Sequence, residues 1–231
     1  MTNSELSRRL GIPKSSASYI LRTLERRGYL GRDTESGRYR LGSKLLTLGS
    51  EVHANLHIAD ISLPYMRTLV ERTGLTCHLA VLDRGEAVYI EKVEAPGFFK
   101  VNTWVGRRMF LHSASVGKSL IAWLLKTEIE GLLPEQNLKK RTPRTIASLT
   151  RMFTELERVR QHGYTVDDEE NSPGGRCVGA PVFGSLGNVI AALGVSGTLS
   201  QLEGAKLPRV AETLKEAARK ISRHLAKTGA A

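Results

Sequence analysis

Cysteine is scarce: only Cys77 and Cys177 occur in 231 residues. Two thiols cannot build a disulfide framework, so a reducing cytoplasm is the expected setting. No apolar run approaches the roughly 20 residues needed to span a bilayer. Nothing at the start reads as a secretory signal peptide, and there is no internal repeat or low-complexity tract. A metal cluster is not indicated either, since Cys77 and His78 are neighbours on an expected strand and point to opposite faces. What remains is ordinary for a globular chain, with 41% hydrophobic and 25% charged residues and room for one large domain or two small ones.

Charge is the compositional feature that stands out. The net is +11 and the isoelectric point about 9.9, which suggests an acidic partner, nucleic acid being the commonest. The first fifty residues hold ten Lys/Arg against four Asp/Glu, and the remainder twenty-four against nineteen. The excess is therefore concentrated at the N-terminal end.

That segment has an organised pattern. Thr2-x-x-Glu5 is a capping box opening a short helix with Leu6 and Leu10 on one face. Gly11 ends it, and Ile12-Pro13 turns the chain. A second helix is expected from about Pro13 to Arg27, with Ala17, Ile20, Leu21 and Leu24 apolar and Gly28 closing it. Its other face carries Lys14, Ser15, Ser16, Ser18, Tyr19 and Arg22, with no acid among them. Small hydroxyls let a helix sink into a major groove while flanking cations meet phosphates. Tyr29–Arg32 and Arg38–Leu41 flank a Gly-containing turn and read as a β-hairpin, placing Arg38 and Arg40 on a wing. Helix, turn, basic helix and hairpin are the order of a winged helix-turn-helix. The preceding helix that normally completes such a core is missing from this order, so one further amphipathic helix is expected before Thr2 in a natural form, as a third wall for Leu6, Leu10, Ile20, Leu21 and Leu24.

A linker helix follows from Ser43 to about His53, with Leu45, Leu46, Leu48 and Val52 apolar. The expected domains are 1–42, a linker over 43–57, and 58–231. In the larger part, residues 58–73 read as a helix interrupted by Pro64 and stopped at Gly74. Leu75–Leu82 and Ala87–Val93 form a hairpin, Phe98–Val105 a third strand, and Ser115–Leu125 and Ile146–His162 helices. Tyr164–Val166, Cys177–Phe183 and Val189–Val195 are strands, and Leu207–Ala226 a last helix. Hairpins with interspersed helices predict an α+β domain around an antiparallel sheet. Lys139-Lys140-Arg141 reads as a solvated basic loop.

Gly117-Lys118-Ser119 resembles the end of a phosphate loop, but His112 stands where that motif needs glycine. The small residues of His112–Gly117 leave backbone N–H groups unobstructed at a helix start, which suits an anion such as a carboxylate; a plain, tightly packed helix start fits equally. Asp167, Cys177 and Ser196 could converge on one cavity. Against that stand an inert buried thiol, a solvated acidic loop over Asp168–Glu170 and a strand-end cap at Ser196. A hydrolase using Cys177 with His112 or His162 lacks an activating motif.

Together these segments resemble the IclR family of bacterial transcriptional regulators over essentially the whole chain. The matching residues are Leu6–Leu10 with Gly11–Ser16, Leu24–Tyr29, Tyr39–Gly42, Leu111-His112 with Gly117-Lys118, Gly163…Asp167…Glu170…Cys177–Val182, and Ala192–Gly197. The resemblance implies a winged helix plus a GAF-like effector domain, acting as a homodimer or homotetramer on palindromic double-stranded operators. It implies small organic acids or aromatic catabolites as effectors; from the residues themselves, no cofactor, metal, membrane or enzymatic activity is expected. By matching positions, the effector would meet the backbone N–H groups of Ser115 and Val116, with Asp167, Cys177 and Ser196. Gly194 stands where some members carry serine, which implies an enlarged pocket. A ligand-binding module without DNA binding of its own is the alternative.

Overall fold

Thr2 and Glu5 set the first helix in place: the Glu5 N–H donates to Thr2 Oγ1 at 3.3 Å, and the Thr2 N–H donates to Glu5 Oε2 at 2.8 Å. This reciprocal box satisfies two donors that a helix start leaves orphaned. Helix α1 (Asn3–Leu10) ends at Gly11, whose φ of 66° is the left-handed conformation glycine adopts without strain. Helix α2 (Lys14–Arg26) starts after Pro13 and buries Ala17 and Leu21. Strands β1 (Leu30–Arg32) and β2 (Tyr39–Leu41) pair antiparallel, with Gly31 opposite Arg40. The turn between them is fixed by Asp33, whose Oδ1 accepts from the N–H and hydroxyl of Ser36, each at 2.7 Å. The apolar residues expected to need a third wall do line one open groove of about 410 Å³, together with Ile12, Leu30 and Leu41.

The computed structural model describes residues 1–54, 57–97 and 101–228. The chain divides into two units, Met1–Leu56 and His57–Ala231. Helix α3 (Lys44–Ala54) therefore belongs with the winged helix, and its Leu46 and Val52 are exposed. The end of the expected linker at 55–56 lies outside the described residues.

In the second unit, helix α4 (His57–Thr73) runs unbroken through Pro64, where an interruption was expected. Its surroundings compensate for the lost ladder bond by packing Ala59, Met66 and Leu69 into the core. Strands β3 (Thr76–Asp83) and β4 (Glu86–Val93) join through Arg84 and Gly85, both at positive φ. After β5 (Arg108–Met109) come helices α5 (Ser115–Ile121), α6 (Lys126–Leu132) and α7 (Leu149–His162). Strands β6 (Thr165–Asp168), β7 (Gly175–Phe183) and β8 (Val189–Thr198) precede helix α8 (Lys206–Thr228). The six long-range strands form one antiparallel sheet in the order β5-β4-β3-β8-β7-β6.

Two expectations are corrected. Residues 98–100 of the expected strand Phe98–Val105 lie outside the description, and 101–105 form a loop, because the Lys92 ammonium binds the carbonyls of Val101 and Thr103 that a ladder would otherwise use. The expected helix Ser115–Leu125 stops at Ile121, and α6 begins afresh after an extended Leu125.

Helix α5 lies close on the sheet. Ala192 joins its core, while Leu193 and Val195 are buried on the alternate face, so β8 reads as nearly continuous apolar sequence. The close approach depends on Gly179, where a Cβ would stand 2.8 Å from the Ser115 carbonyl and 2.7 Å from Thr165 Oγ1. Gly179→Ala should therefore push α5 off the sheet and cost about 1–3 kcal/mol, read as a lower midpoint of thermal unfolding; an unchanged midpoint would contradict this packing.

Candidate functional site

In the first unit, Lys14, Ser15, Ser16, Tyr19 and Arg22 are all exposed on α2, and Ser18 is half-buried beside them. The surface they share carries no carboxylate, as the sequence pattern requires. The wing differs in detail. The Arg38 guanidinium lies 3.7 Å from Glu5 of α1, and the Arg40 side chain folds over Gly31 on the opposing strand. Arg32, which sequence reasoning passed over, stacks its cation over Tyr39 at 5.6 Å and is exposed. It carries a third positive charge on the hairpin.

In the second unit, strand register does what the sequence could only suggest. Asp167 on β6 pairs with Cys177 on β7, Cys177 with Ser196 on β8, and Ser196 with Thr76 on β3. Side chains at directly opposed positions share a face, so Asp167, Cys177 and Ser196 form one row. Together with Ala114 and Ser115 they line a cavity of about 310 Å³. The Cys177 thiol donates to Ser196 Oγ at 3.3 Å.

Asp167 is held on one side only. Its Oδ1 accepts the N–H groups of Glu170 and Asn171 at 2.8 and 3.1 Å. Burial pushes its carboxyl up to about 6, against the pull of those two donors and of Lys118. Burial likewise pushes the Cys177 thiol up to about 12, which makes it a poor nucleophile at neutral pH. His112 donates through Nε2 to the Lys139 carbonyl, and His162 donates through Nδ1 to the Arg158 carbonyl on α7; neither ring is bonded to the thiol.

The start of α5 has Ala114 at its cap position, with no side-chain cap. As the first two residues of the helix, Ser115 and Val116 have N–H groups without an intrahelical acceptor, although the Val116 side chain itself packs into the hydrophobic core. It fills the space opposite Gly194, where a Cβ would stand 2.6 Å from Val116 Cγ1. The expected enlargement at Gly194 is thus not found: close helix packing occupies that room.

Lys118 is the residue whose role the sequence concealed. It is fully buried, and its ammonium donates to Glu170 Oε1 at 2.6 Å, the Val166 carbonyl at 2.6 Å and Glu155 Oε1 at 3.1 Å. Burial pushes Glu170 up to about 7 despite this cation. Glu170 is therefore no part of a solvated loop. The basic segment before it is not merely solvated either: Arg141 stacks over Phe110 at 5.3 Å and donates to the Asn171 carbonyl. No group of three or more His, Cys, Asp or Glu among the described residues could hold a metal ion.

Comparison with known proteins agrees with this layout. Residues 50–223 match the family model described as bacterial transcriptional regulator IclR C-terminal, and residues 1–34 match the IclR helix-turn-helix domain. The chain belongs to the IclR family of bacterial transcriptional regulators. It is 38% identical over 222 residues to the HTH-type transcriptional regulator XynR of Escherichia coli, covering 96% of this chain and 88% of that one. The crystal structure of Thermotoga maritima IclR is 34% identical, with a TM-score of 0.79 over 98% of this chain and 91% of that one. An IclR homologue from Microbacterium hydrocarbonoxydans, solved in complex with 4-hydroxybenzoate, is 26% identical, with a TM-score of 0.83 over 97% and 91%. This IclR-family chain is accordingly a DNA-binding transcriptional regulator of α+β fold, pairing a winged helix-turn-helix with an effector domain. No described helix is long and apolar enough to cross a membrane.

The cavity also contains residues that sequence reasoning missed, among them Tyr89, Asn102, Thr103, Arg107 and Asn171. Residues 101–107 carry no periodic signal because they form a loop, so only the fold could bring them here.

Raised carboxyl pKa values have a definite sign in stability. As pH rises from the ordinary carboxylate range through about 6, native Asp167 retains a proton that the unfolded chain has lost, so stability falls over that window. Glu170 acts in the same direction up to about 7. Melting of the larger unit should therefore fall between pH 5 and roughly pH 7.5, and Asp167→Asn should flatten the lower part of that slope. A parent whose stability from these groups rises with pH would contradict the assignment.

Proposed function

We propose that the cavity of the larger unit binds a small carboxylate effector and that α2 with the wing reads the operator. The observation that carries the effector assignment is the single row Asp167–Cys177–Ser196 meeting the uncapped start of α5. The Ser115 and Val116 N–H groups would take the carboxylate, and the unengaged side of Asp167 and the Ser196 hydroxyl would bond its polar substituents. Cys177 would line the wall without reacting, so the chain regulates and does not catalyse. The likeness to a homologue holding 4-hydroxybenzoate supports an acid as ligand.

On the DNA side, Lys14 and Arg22 meet phosphates at the ends of the exposed face, Ser15, Ser16, Ser18 and Tyr19 approach base edges, and Arg38 and Arg40 serve the wing. Release of Arg38 from Glu5 on binding would cost little, because an exposed ion pair of this kind contributes at most about 1 kcal/mol. The regulator works as a homodimer or homotetramer on a palindromic operator, in the cytoplasm with the chromosome. Effector binding can alter operator affinity only by the ligand's differential affinity for the two arrangements of the assembly.

Two measurements check this. With random-sequence duplex DNA, Arg22→Ala should weaken binding and reduce the salt slope by about one unit; an unchanged slope would remove Arg22 from the interface. In a thermal-shift screen of small aliphatic and aromatic acids that includes 4-hydroxybenzoate, a stabilising acid should lose about 1–3 kcal/mol of affinity in Asp167→Ala. The same variant should bind DNA like the parent. Parent-like binding of that acid by both Asp167→Ala and Ser196→Ala would place the effector elsewhere.

A further inference from the structure

Arg107 gives the cavity a second pole. Its backbone is pinned at the rim, with its carbonyl accepting the Tyr89 N–H at 3.0 Å and its N–H donating to the Trp104 carbonyl at 3.1 Å. Its guanidinium lies over the Trp104 ring at 4.8 Å and donates to the Asn102 carbonyl. It lines the same cavity as Asp167 and Ser196, yet no carboxylate among the described residues pairs with it. The neighbouring cation, Lys92, is by contrast neutralised by Glu94 at 2.7 Å and saturated by two loop carbonyls. Beyond Arg107, His78 is buried, stacks on Tyr89 at 4.4 Å and bonds Thr103 Oγ1 at 2.7 Å. Burial first, and then the charges of Lys92 and Arg107, push its imidazole down to about 3. His78 is therefore neutral and does not share the guanidinium's role.

We infer that Arg107 is a specificity-determining residue and that the effector is a dicarboxylate, one carboxylate at the start of α5 beside Asp167 and the other on Arg107. The inference rests on the effector site proposed above and adds its second anchor. A monocarboxylate satisfies one pole and leaves the other, either the α5 donors or the half-buried guanidinium, without the charge-assisted hydrogen bonds a second carboxylate would make. The planar fork of arginine suits a carboxylate in a bidentate arrangement. A volume of 310 Å³ is at the small end of ligand-binding cavities, which limits the diacid to roughly four to six carbons.

The test is calorimetric titration of the full chain with succinate, glutarate and adipate, each against the monoacid of equal length, butyrate, valerate and hexanoate. The parent should bind at least one diacid about tenfold or more tightly than its monoacid. Arg107→Gln should weaken that diacid by a similar factor, leave the monoacid unchanged and bring the ratio near one, while Arg107→Lys should give an intermediate ratio. The melting temperature of each variant reports whether it is folded. A ratio unaltered by Arg107→Gln in a folded variant, a parent that favours the monoacids, or no binding of any diacid at millimolar concentration overturns the inference. The underlying site is judged separately: an acid that binds Asp167→Ala like the parent refutes the cavity itself. An acid lost in Asp167→Ala but indifferent to Arg107→Gln refutes only the second anchor.

Discussion

The effector unit is organised around one buried charge. Lys118 has no access to solvent, and its three donors are met by Glu170, Glu155 and the Val166 carbonyl. These come from the acidic loop after β6, from α7 and from β6 itself, so a single ammonium joins the start of α5 to the edge of the sheet. Burying an ion is costly unless every donor is matched, and removing one partner leaves the others stranded. The arrangement is consequently all-or-none: with Lys118 in place, the loop from Asp168 to Asn171 has little choice of path.

That path turns Asp167 toward the cavity. Glu169 sits at φ 59°, a left-handed conformation uncommon for a side-chain-bearing residue. It is held there by its N–H on the Gly175 carbonyl and by its carboxylate, which accepts the Gly174 N–H. From the other side, the hydroxyls of Thr142 and Thr145 hold the carbonyls of Glu169 and Glu170. The backbone N–H groups of Glu170 and Asn171 then point at Asp167 and occupy one of its oxygens. The other oxygen is the one that the proposed effector would meet.

The sequence carried some of this and hid the rest for physical reasons. Local chemistry was legible: the Thr2–Glu5 box, Gly11 and the α2 face are decided within a few residues, and all appear in the structure. The row of Asp167, Cys177 and Ser196 was legible as a set of strand positions, but its register needed two pairings that no single segment specifies. Lys118 was hidden because a lysine in a helix is ordinarily exposed; the signal was its place as a lone cation among the small and apolar residues of Ser115–Ile121. The loop at 101–105 was misread as part of a strand because its β-branched and aromatic residues favour one, yet Lys92 claims the carbonyls of Val101 and Thr103 that a strand would need. Gly194 was misread because a missing side chain can make room for a ligand or for a neighbour, and here Val116 takes the space.

Lys118 ties α5 to the acidic loop, and denaturant unfolding of Lys118→Met tests that tie most directly. Methionine keeps the length and apolar stem but leaves Glu170 and Glu155 without their cation. The unfolding transition of the larger unit should lose about 3–5 kcal/mol, with the transition of the winged helix unmoved. A variant that unfolds within about 0.5 kcal/mol of the parent, the scale of ordinary surface substitutions, would contradict it.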